Sequence, residues 1–110
     1  YKPTHKGHPC VIWANHSLSN WYWLKELASA LNDEYKYRFN HSKNHKSYDV
    51  ISTLSIPMIS DMGLTTIPQV VPIELQTTDA VRAYRQYYIH CKSHIAHWTK
   101  RPVPQWFLGP

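Results

Sequence analysis

Residues 17–40 read SLSNWYWLKELASALNDEYKYRFN. Five apolar side chains in this stretch recur at intervals of three and four, and the charged residues between them turn away. The five are Leu24, Leu27, Ala28, Leu31 and Tyr35. Ser17 or Ser19 can accept the first free amide protons as an N-cap. We therefore expect a long amphipathic helix that begins between residues 17 and 20 and ends near Phe39 or Asn40.

The segments on either side of this helix carry weaker signals. Residues 1–15 contain Pro3, Gly7 and Pro9, which predict extended chain until Val11, Ile12 and Trp13 reach the core. After a polar connection, residues 47–54 predict a shorter helix that Pro57 ends, because proline disfavours helical geometry in the residue before it. Its expected buried side chains are Val50, Ile51 and Leu54.

Residues 56–76 contain three prolines and Gly63, which predict an irregular strap. We expect the apolar side chains of this strap to pack over the helices. They include Met58, Ile67, Val70, Val71 and Leu75.

A last helix is predicted to begin after Thr77 or Thr78, either of which can cap it. It is expected to stop at Lys100, Arg101 and Pro102. One apolar seam follows its length and is either core or an interface. Its members are Val81, Tyr84, Tyr88, Cys91, Ile95 and Trp98. After the helix, Trp106 and Phe107 can dock back onto the core or onto a partner. The expected fold is all-α, a single domain over residues 1–110 in which three or more helices form a small bundle with a long, irregular, proline-containing strap.

Composition restricts the class of protein. The chain has 110 residues, a formal net charge of +5 and only two cysteines, Cys10 and Cys91. Two cysteines are too few for a disulfide framework, and no apolar run of membrane-spanning length occurs, so we expect a cytoplasmic protein with free thiols and no membrane partner. The positive charge favours an anionic partner.

Two basic groups are candidate nucleic-acid contacts. Arg82, Arg85 and Lys92 are spaced by three and seven residues, which places them on one flank of the last helix, within reach of successive phosphates. Lys36, Tyr37 and Arg38 interleave cations with a ring on which a base can stack. Arg101 and Trp106 complete the candidate set. The alternatives are an ordinary solvated face for the cations and core packing for the rings.

The histidines suggest a metal site only weakly. His90, His94 and His97 follow at spacings of four and three, so one strip of a helix would hold them, and His90 and His94 could share zinc. No acidic residue lies within the next turn, and the spacing of His5, His8, Cys10 and His16 matches no established zinc finger. We therefore predict no metal and no cofactor. Cys91 falls on the apolar seam, where burial would make its thiol inert.

Two groups of motifs resemble a family of small, largely uncharacterised phage and marine environmental proteins. The first is His8-Pro9-Cys10-x-x-Trp13 followed by Ser17-x-x-Asn20-x-x-Trp23-Leu24. The second is Ala80-Val81-x-Ala83-Tyr84-Arg85-x-Tyr87-Tyr88 followed by Trp98-x-x-Arg101-Pro102-x-Pro104-x-Trp106-Phe107. Together they span most of the chain.

The resemblance implies that this chain is the C-terminal portion of a longer protein. It also implies a distant similarity to small helical pyrimidine-dimer DNA glycosylases, which act in DNA repair. Those enzymes use an N-terminal amine as nucleophile, and this chain shows no matching terminus. The resemblance therefore assigns no catalytic residue here.

From these features we predict a nucleic-acid-binding domain, with DNA as a better partner than RNA. One alternative is an enzyme of DNA repair or modification, assisted by a metal at His90 and His94. A second alternative is an interaction module that forms a homodimer through its Tyr- and Trp-rich seam.

Overall fold

The computed structural model describes residues 4–109, so the predictions for residues 1–3 lie outside the described part of the chain. Within residues 4–109 the chain forms five α-helices and no β-strand, which confirms the all-α fold. Contacts group the chain into two compact units, unit 1 (Tyr1–Thr65) and unit 2 (Thr66–Pro110). A single domain over residues 1–110 stays a prediction.

Unit 1 contains three helices: α1 (Pro9–His16), α2 (Leu18–Phe39) and α3 (Lys46–Ile51). Both α1 and α3 pack against α2. The predicted end of α2 is confirmed, since Asn40 adopts the left-handed conformation and its amide donates to the Lys36 carbonyl. The long helix is thus the scaffold of the unit.

The prediction of extended chain until Val11 is wrong at its end, because α1 begins at Pro9. Pro9 stands at the first helical position, where its missing amide proton costs nothing, and the His8 Nδ1 accepts from the Cys10 amide at 3.1 Å. The expected anchor is confirmed in part. Trp13 is buried, but Ile12 is exposed.

The second predicted helix is shorter than expected and begins and ends earlier. His45 caps α3, since its Nδ1 accepts from the Ser47 amide at 3.1 Å. The helix ends at Ile51, well before Pro57, so the proline is not what stops it. Val50 and Leu54 are exposed, which contradicts their expected burial. Ile51 is half-buried, so the prediction holds in part for this residue only.

The predicted apolar face of α2 is largely uncovered. Leu24, Leu27 and Leu31 are 37, 38 and 59% exposed, whereas Asn20 and Asn32 are the buried residues of the helix. The spacing of apolar residues therefore predicted only approximately which side of α2 faces the rest of unit 1. That side can bury the polar residues Asn20 and Asn32 because hydrogen bonds to neighbouring segments satisfy their amide groups.

Asn20 joins three parts of unit 1. Its Nδ2 donates to the Trp13 carbonyl and to the Thr65 Oγ1, both at 2.9 Å, and its Oδ1 accepts from the Thr65 amide at 2.9 Å. The Trp13 indole adds a bond from Nε1 to the Thr65 carbonyl at 3.3 Å, and its ring packs edge-on against Trp23. The amide thereby fastens α1, α2 and Thr65 together.

The N-terminus of α2 is capped by a residue far along the chain. Ser17 occupies the N-cap position without making a side-chain cap, which corrects the expectation that Ser17 or Ser19 serves that role. Instead the Asp61 Oδ1 accepts from the Ser19 amide at 3.1 Å and from the Ser19 hydroxyl at 2.7 Å. The Ser19 hydroxyl, the Gly63 amide and the Ser19 amide lower the pKa of Asp61 to about 2.

Ser17 is fully buried at the same junction. Its hydroxyl lies 2.7 Å from the Gly63 carbonyl and 3.1 Å from the Asp61 Oδ1, and it accepts from the Met62 amide at 2.9 Å. The Leu18 amide donates to the Ser60 carbonyl. The hydrogen bonds of Ser17, Leu18, Ser19 and Asn20 therefore hold residues 60–65 across the junction of α1 and α2.

Unit 2 is built around α4 (Ala80–Cys91), which contacts a 3₁₀ turn at Ile73–Leu75, a second 3₁₀ turn at Ser93–Ile95, and α5 (Gln105–Leu108). The part of the predicted strap in this unit is irregular apart from its 3₁₀ turn. The Tyr84 hydroxyl donates to the Pro68 carbonyl at 2.7 Å and accepts from the Val70 amide at 3.0 Å. The Tyr84 hydroxyl therefore fixes the strap to α4.

Several expected strap contacts are not made. Met58, in unit 1, is fully exposed, and Val70 is 43% exposed. Ile67, Val71 and Leu75 are half-buried. The strap is therefore held by hydrogen bonds such as those of Tyr84 as much as by apolar packing.

The last helix differs from its prediction at both ends. Asp79, rather than Thr77 or Thr78, caps α4 by accepting from the Val81 and Arg82 amides. The helix stops at Cys91, and the Ser-His-Ile sequence that follows forms a 3₁₀ turn, since serine and histidine favour helix interiors weakly.

The seam predicted along the last helix is not its buried side. Ala83 is fully buried, whereas Val81 and Tyr88 are 55 and 45% exposed. Cys91 is exposed as well, so the expectation of a buried, inert thiol there is wrong. Ala80, Ala83 and Tyr87 are buried or half-buried, and each lies one residue before a residue of the seam.

Replacing Asn20 by alanine is expected to lower the free energy of unfolding by about 3 kcal/mol, because buried backbone groups of Trp13 and Thr65 would lose their partners. Urea denaturation followed by tryptophan fluorescence measures the loss. Asn15→Ala, on the exposed surface of α1, is the matched control and should change the free energy by less than about 0.5 kcal/mol. Equal losses in the two variants would contradict the joining role of Asn20.

The Asp61 carboxylate is expected to stabilise unit 1 in a pH-dependent way. Its folded pKa of about 2 lies below the ordinary value of 3.8, so its stabilisation is complete above pH 3.8 and is lost as the pH falls through 2. The difference in melting temperature between the wild type and Asp61→Asn should therefore be constant from pH 6 to 4 and shrink toward pH 2. Asp33→Asn, at an exposed position of α2, should show no such change. A difference for Asp61→Asn that stays constant to pH 2 would refute the cap.

Candidate nucleic-acid interface

The predicted nucleic-acid contacts fall into two sets, one in each unit. Unit 1 holds Lys36, Tyr37 and Arg38 near the end of α2, and unit 2 holds Arg82, Arg85, Lys92, Arg101 and Trp106. The geometry of each set is distinct.

The set in unit 1 is a weaker phosphate site than its sequence suggested. Consecutive residues of a helix project about 100° apart, so Lys36, Tyr37 and Arg38 do not share one face. The Arg38 Nε lies 2.8 Å from the Glu34 Oε2, an ion pair that offsets its charge. The Lys36 Nζ donates to the Asn44 Oδ1 at 3.3 Å. Tyr37 alone presents a largely exposed ring.

The set in unit 2 is organised by α4. Arg82 and Arg85 lie three residues apart on this helix and both are exposed, so their side chains can reach neighbouring phosphates. Lys92 occupies the C-cap, and its Nζ lies 5.4 Å from the centre of the Tyr87 ring. The single carboxylate at this helix, Asp79, accepts from backbone amides at the opposite end.

Aromatic rings from the tail extend this surface. Trp98, Trp106 and Phe107 form a cluster in which the Trp98 ring lies 4.6 Å from Phe107 and 6.2 Å from Trp106. The docking of the tail onto the unit, one of the two predicted outcomes, is confirmed by these contacts. The Arg85 guanidinium lies 5.5 Å from the centre of the Trp106 ring. Folding therefore brings a cation and an indole together from positions 21 residues apart in the sequence.

Charge is uneven along the sequence, although unit 1, with seven Lys and Arg and five Asp and Glu, and unit 2, with five and two, have similar net charges of +2 and +3. Residues 80–110 contain five Lys and Arg and no Asp or Glu, whereas residues 1–79 contain seven of each kind. The final 31 residues therefore account for the whole net charge of +5. The excess of cations in residues 80–110 can be read from the sequence, but the net charge of the full chain does not show where it lies.

The histidines do not form the strip that was predicted. His90 lies on α4, where its Nε2 is 3.2 Å from the Gln86 Oε1, but His94 lies in the 3₁₀ turn after the helix. His97 follows that turn, so the three imidazoles do not share one helical face. Across residues 4–109, no three His, Cys, Asp or Glu side chains converge as a metal site requires.

Comparison with known proteins adds no assignment. The sequence matches no protein-family profile, no curated protein and no solved structure. The similarity to phage proteins and to DNA glycosylases thus stays a prediction. Among the helices of residues 4–109, none combines the length and apolar character needed to cross a membrane.

Proposed function

We propose that this protein binds nucleic acid through a basic surface of unit 2, formed by Arg82, Arg85, Lys92 and Arg101 with Trp106 beside them. The observation that carries the proposal is that residues 80–110 contain five Lys and Arg and no Asp or Glu. A polyanion attracts such a surface and releases counterions when lysine and arginine neutralise its phosphates.

The arrangement on α4 suits a phosphate backbone. Arg82 and Arg85 are exposed on a helix of 12 residues, and the carboxylate nearest to them in sequence, Asp79, is bonded to backbone amides at the N-terminus of that helix. Their guanidinium groups can donate two parallel hydrogen bonds to a phosphate, which an ammonium group cannot do. These contacts position a strand without reading its sequence.

The ring beside the arginines supports association with unpaired bases. Trp106 is half-buried, with Phe107 and Trp98 in edge-to-face contact with it and the Arg85 guanidinium over its ring. A base can stack on a supported indole in any sequence context. The resemblance to DNA-repair glycosylases is the reason for proposing DNA rather than RNA.

A cytoplasmic location and self-association belong to the same proposal. Cys10 and Cys91 are free thiols, as is usual in a reducing compartment. Val81 and Tyr88 expose part of the seam of α4, where a second copy can pack. Sedimentation equilibrium at increasing concentration tests self-association, and a monomer throughout would remove it from the proposal.

The proposed surface predicts a strong dependence on salt. Four phosphate contacts on single-stranded DNA give a slope of log affinity against log salt near −2.8, or a loss of roughly 50-fold between 50 and 200 mM. Fluorescence anisotropy with a labelled single-stranded oligonucleotide of mixed sequence measures the slope. Arg82→Ala with Arg85→Ala should reduce its magnitude by about 1.4. An RNA of the same sequence should bind more weakly than the DNA.

A matched double variant in unit 1 controls for charge alone. Lys25 lies 5.2 Å from the centre of the Trp21 ring, which reproduces the Arg85 and Trp106 pair in the other unit, and Lys6 is exposed. Lys6→Ala with Lys25→Ala removes the same net charge and should leave the slope unchanged. Equal changes in both double variants, or no binding at 50 mM salt, would reject the proposed surface.

A further inference from the structure

A groove between α2 and α3 in unit 1 has no role in the proposed surface of unit 2. Its volume is about 200 Å³. The walls are mainly carbon, from Ala28 and Leu31 of α2 and Ile51 of α3, with the rings of Tyr35 and Tyr48 among them. Pockets for drug-sized molecules are usually about 300 to 1,000 Å³, so this groove suits a single ring system rather than a whole dinucleotide.

The groove is held open by hydrogen bonds and ring contacts. Asn32, only 5% exposed, accepts from the His45 amide at 2.9 Å and donates to the Asn44 Oδ1 at 3.0 Å. The Tyr35 ring stacks on His41 at 4.8 Å and meets His45 edge-on at 5.1 Å. These contacts fix the connection between α2 and α3, so the groove exists before a ligand arrives.

One rim of the groove is basic. Residues 41–46 read HSKNHK, with two lysines, two histidines and no carboxylate, and all six are exposed. The Asn44 side chain also brings the Lys36 Nζ to this rim. One carboxylate is present, since the Asn44 Nδ2 donates to the Asp49 Oδ1 at 3.2 Å. Lys36, Lys43 and Lys46 outnumber it.

We propose that the groove binds one nucleobase against Tyr35 and Tyr48 and that Lys43 and Lys46 at its rim contact the phosphate of the same nucleotide. An apolar slot lined by rings favours a planar aromatic group, and the basic rim favours one that carries an anion. This inference deepens the proposed nucleic-acid association and rests on it for the source of the base. It adds a separate site for a single unpaired base.

The experiment titrates the protein separately with adenosine monophosphate, adenosine and inorganic phosphate, and follows the side-chain NMR signals of Tyr35, Tyr48 and Ile51. The monophosphate should shift all three signals and bind about fivefold more tightly than adenosine, because two exposed lysine contacts add only modestly. Phosphate alone should shift signals of residues 43–46 and leave the three groove signals in place.

Two variants separate the base from the phosphate. Ala28→Leu fills the groove and should abolish the shifts from both nucleoside and nucleotide, with the remaining spectrum showing that unit 1 stays folded. Lys43→Ala with Lys46→Ala keeps the groove and should make the monophosphate bind as weakly as adenosine. Lys6→Ala with Lys25→Ala is the matched control and should retain the fivefold difference.

Three outcomes would overturn the inference. They are an absence of groove shifts with the monophosphate, shifts that persist in a folded Ala28→Leu variant, and tighter binding of an acidic tryptophan peptide than of the nucleotide. The titration is independent of the unit 2 surface, since Arg82→Ala with Arg85→Ala should leave it unchanged. If the oligonucleotide affinity does not depend on salt but the groove still binds the nucleotide, only the proposed surface of unit 2 is rejected.

Discussion

The buried amide of Asn20 is the interaction on which unit 1 depends. Its three hydrogen bonds reach the Trp13 carbonyl, the Thr65 hydroxyl and the Thr65 amide, so one side chain fixes the relative positions of α1, α2 and the segment at residues 60–65. The apolar interior of the unit is small, with Trp13 and Ala14 its buried hydrophobic residues among those described. Directional polar bonds therefore specify this fold more than the volume of its core does.

The charges of the chain are arranged differently in the two units. Unit 1 has seven Lys and Arg and five Asp and Glu, and the Asp61 and Glu34 carboxylates bond to groups of their own unit. In unit 2, the arginines of α4 have no carboxylate after Asp79 in the sequence. What distinguishes unit 2 is therefore a run of 31 residues, 80–110, whose five cations have no carboxylate among them.

Local signals in the sequence predicted the helices better than their buried sides. The apolar spacing in α2 predicted that helix correctly, and its predicted end near Phe39 or Asn40 is also correct, whereas α1 was missed because Pro9 was taken as a breaker and not as a first helical residue. The hydrogen bonds between Ser19 and Asp61 and between Asn20 and Thr65 join positions more than 40 residues apart, which no local pattern reports. For the candidate interface, the spacing of Arg82 and Arg85 was informative, but the contact of Arg85 with Trp106 required the fold of the tail.

The separation in sequence between Asp61 and Ser19 has a consequence for the order of folding. The carboxylate that completes the first turn of α2 lies 42 positions after that turn. Closing a loop of this length costs entropy before any contact is gained, and the cost grows only slowly with further length. On a ribosome, the start of α2 therefore reaches its final hydrogen bonding only after synthesis has passed residue 65, although the helix itself emerges much earlier.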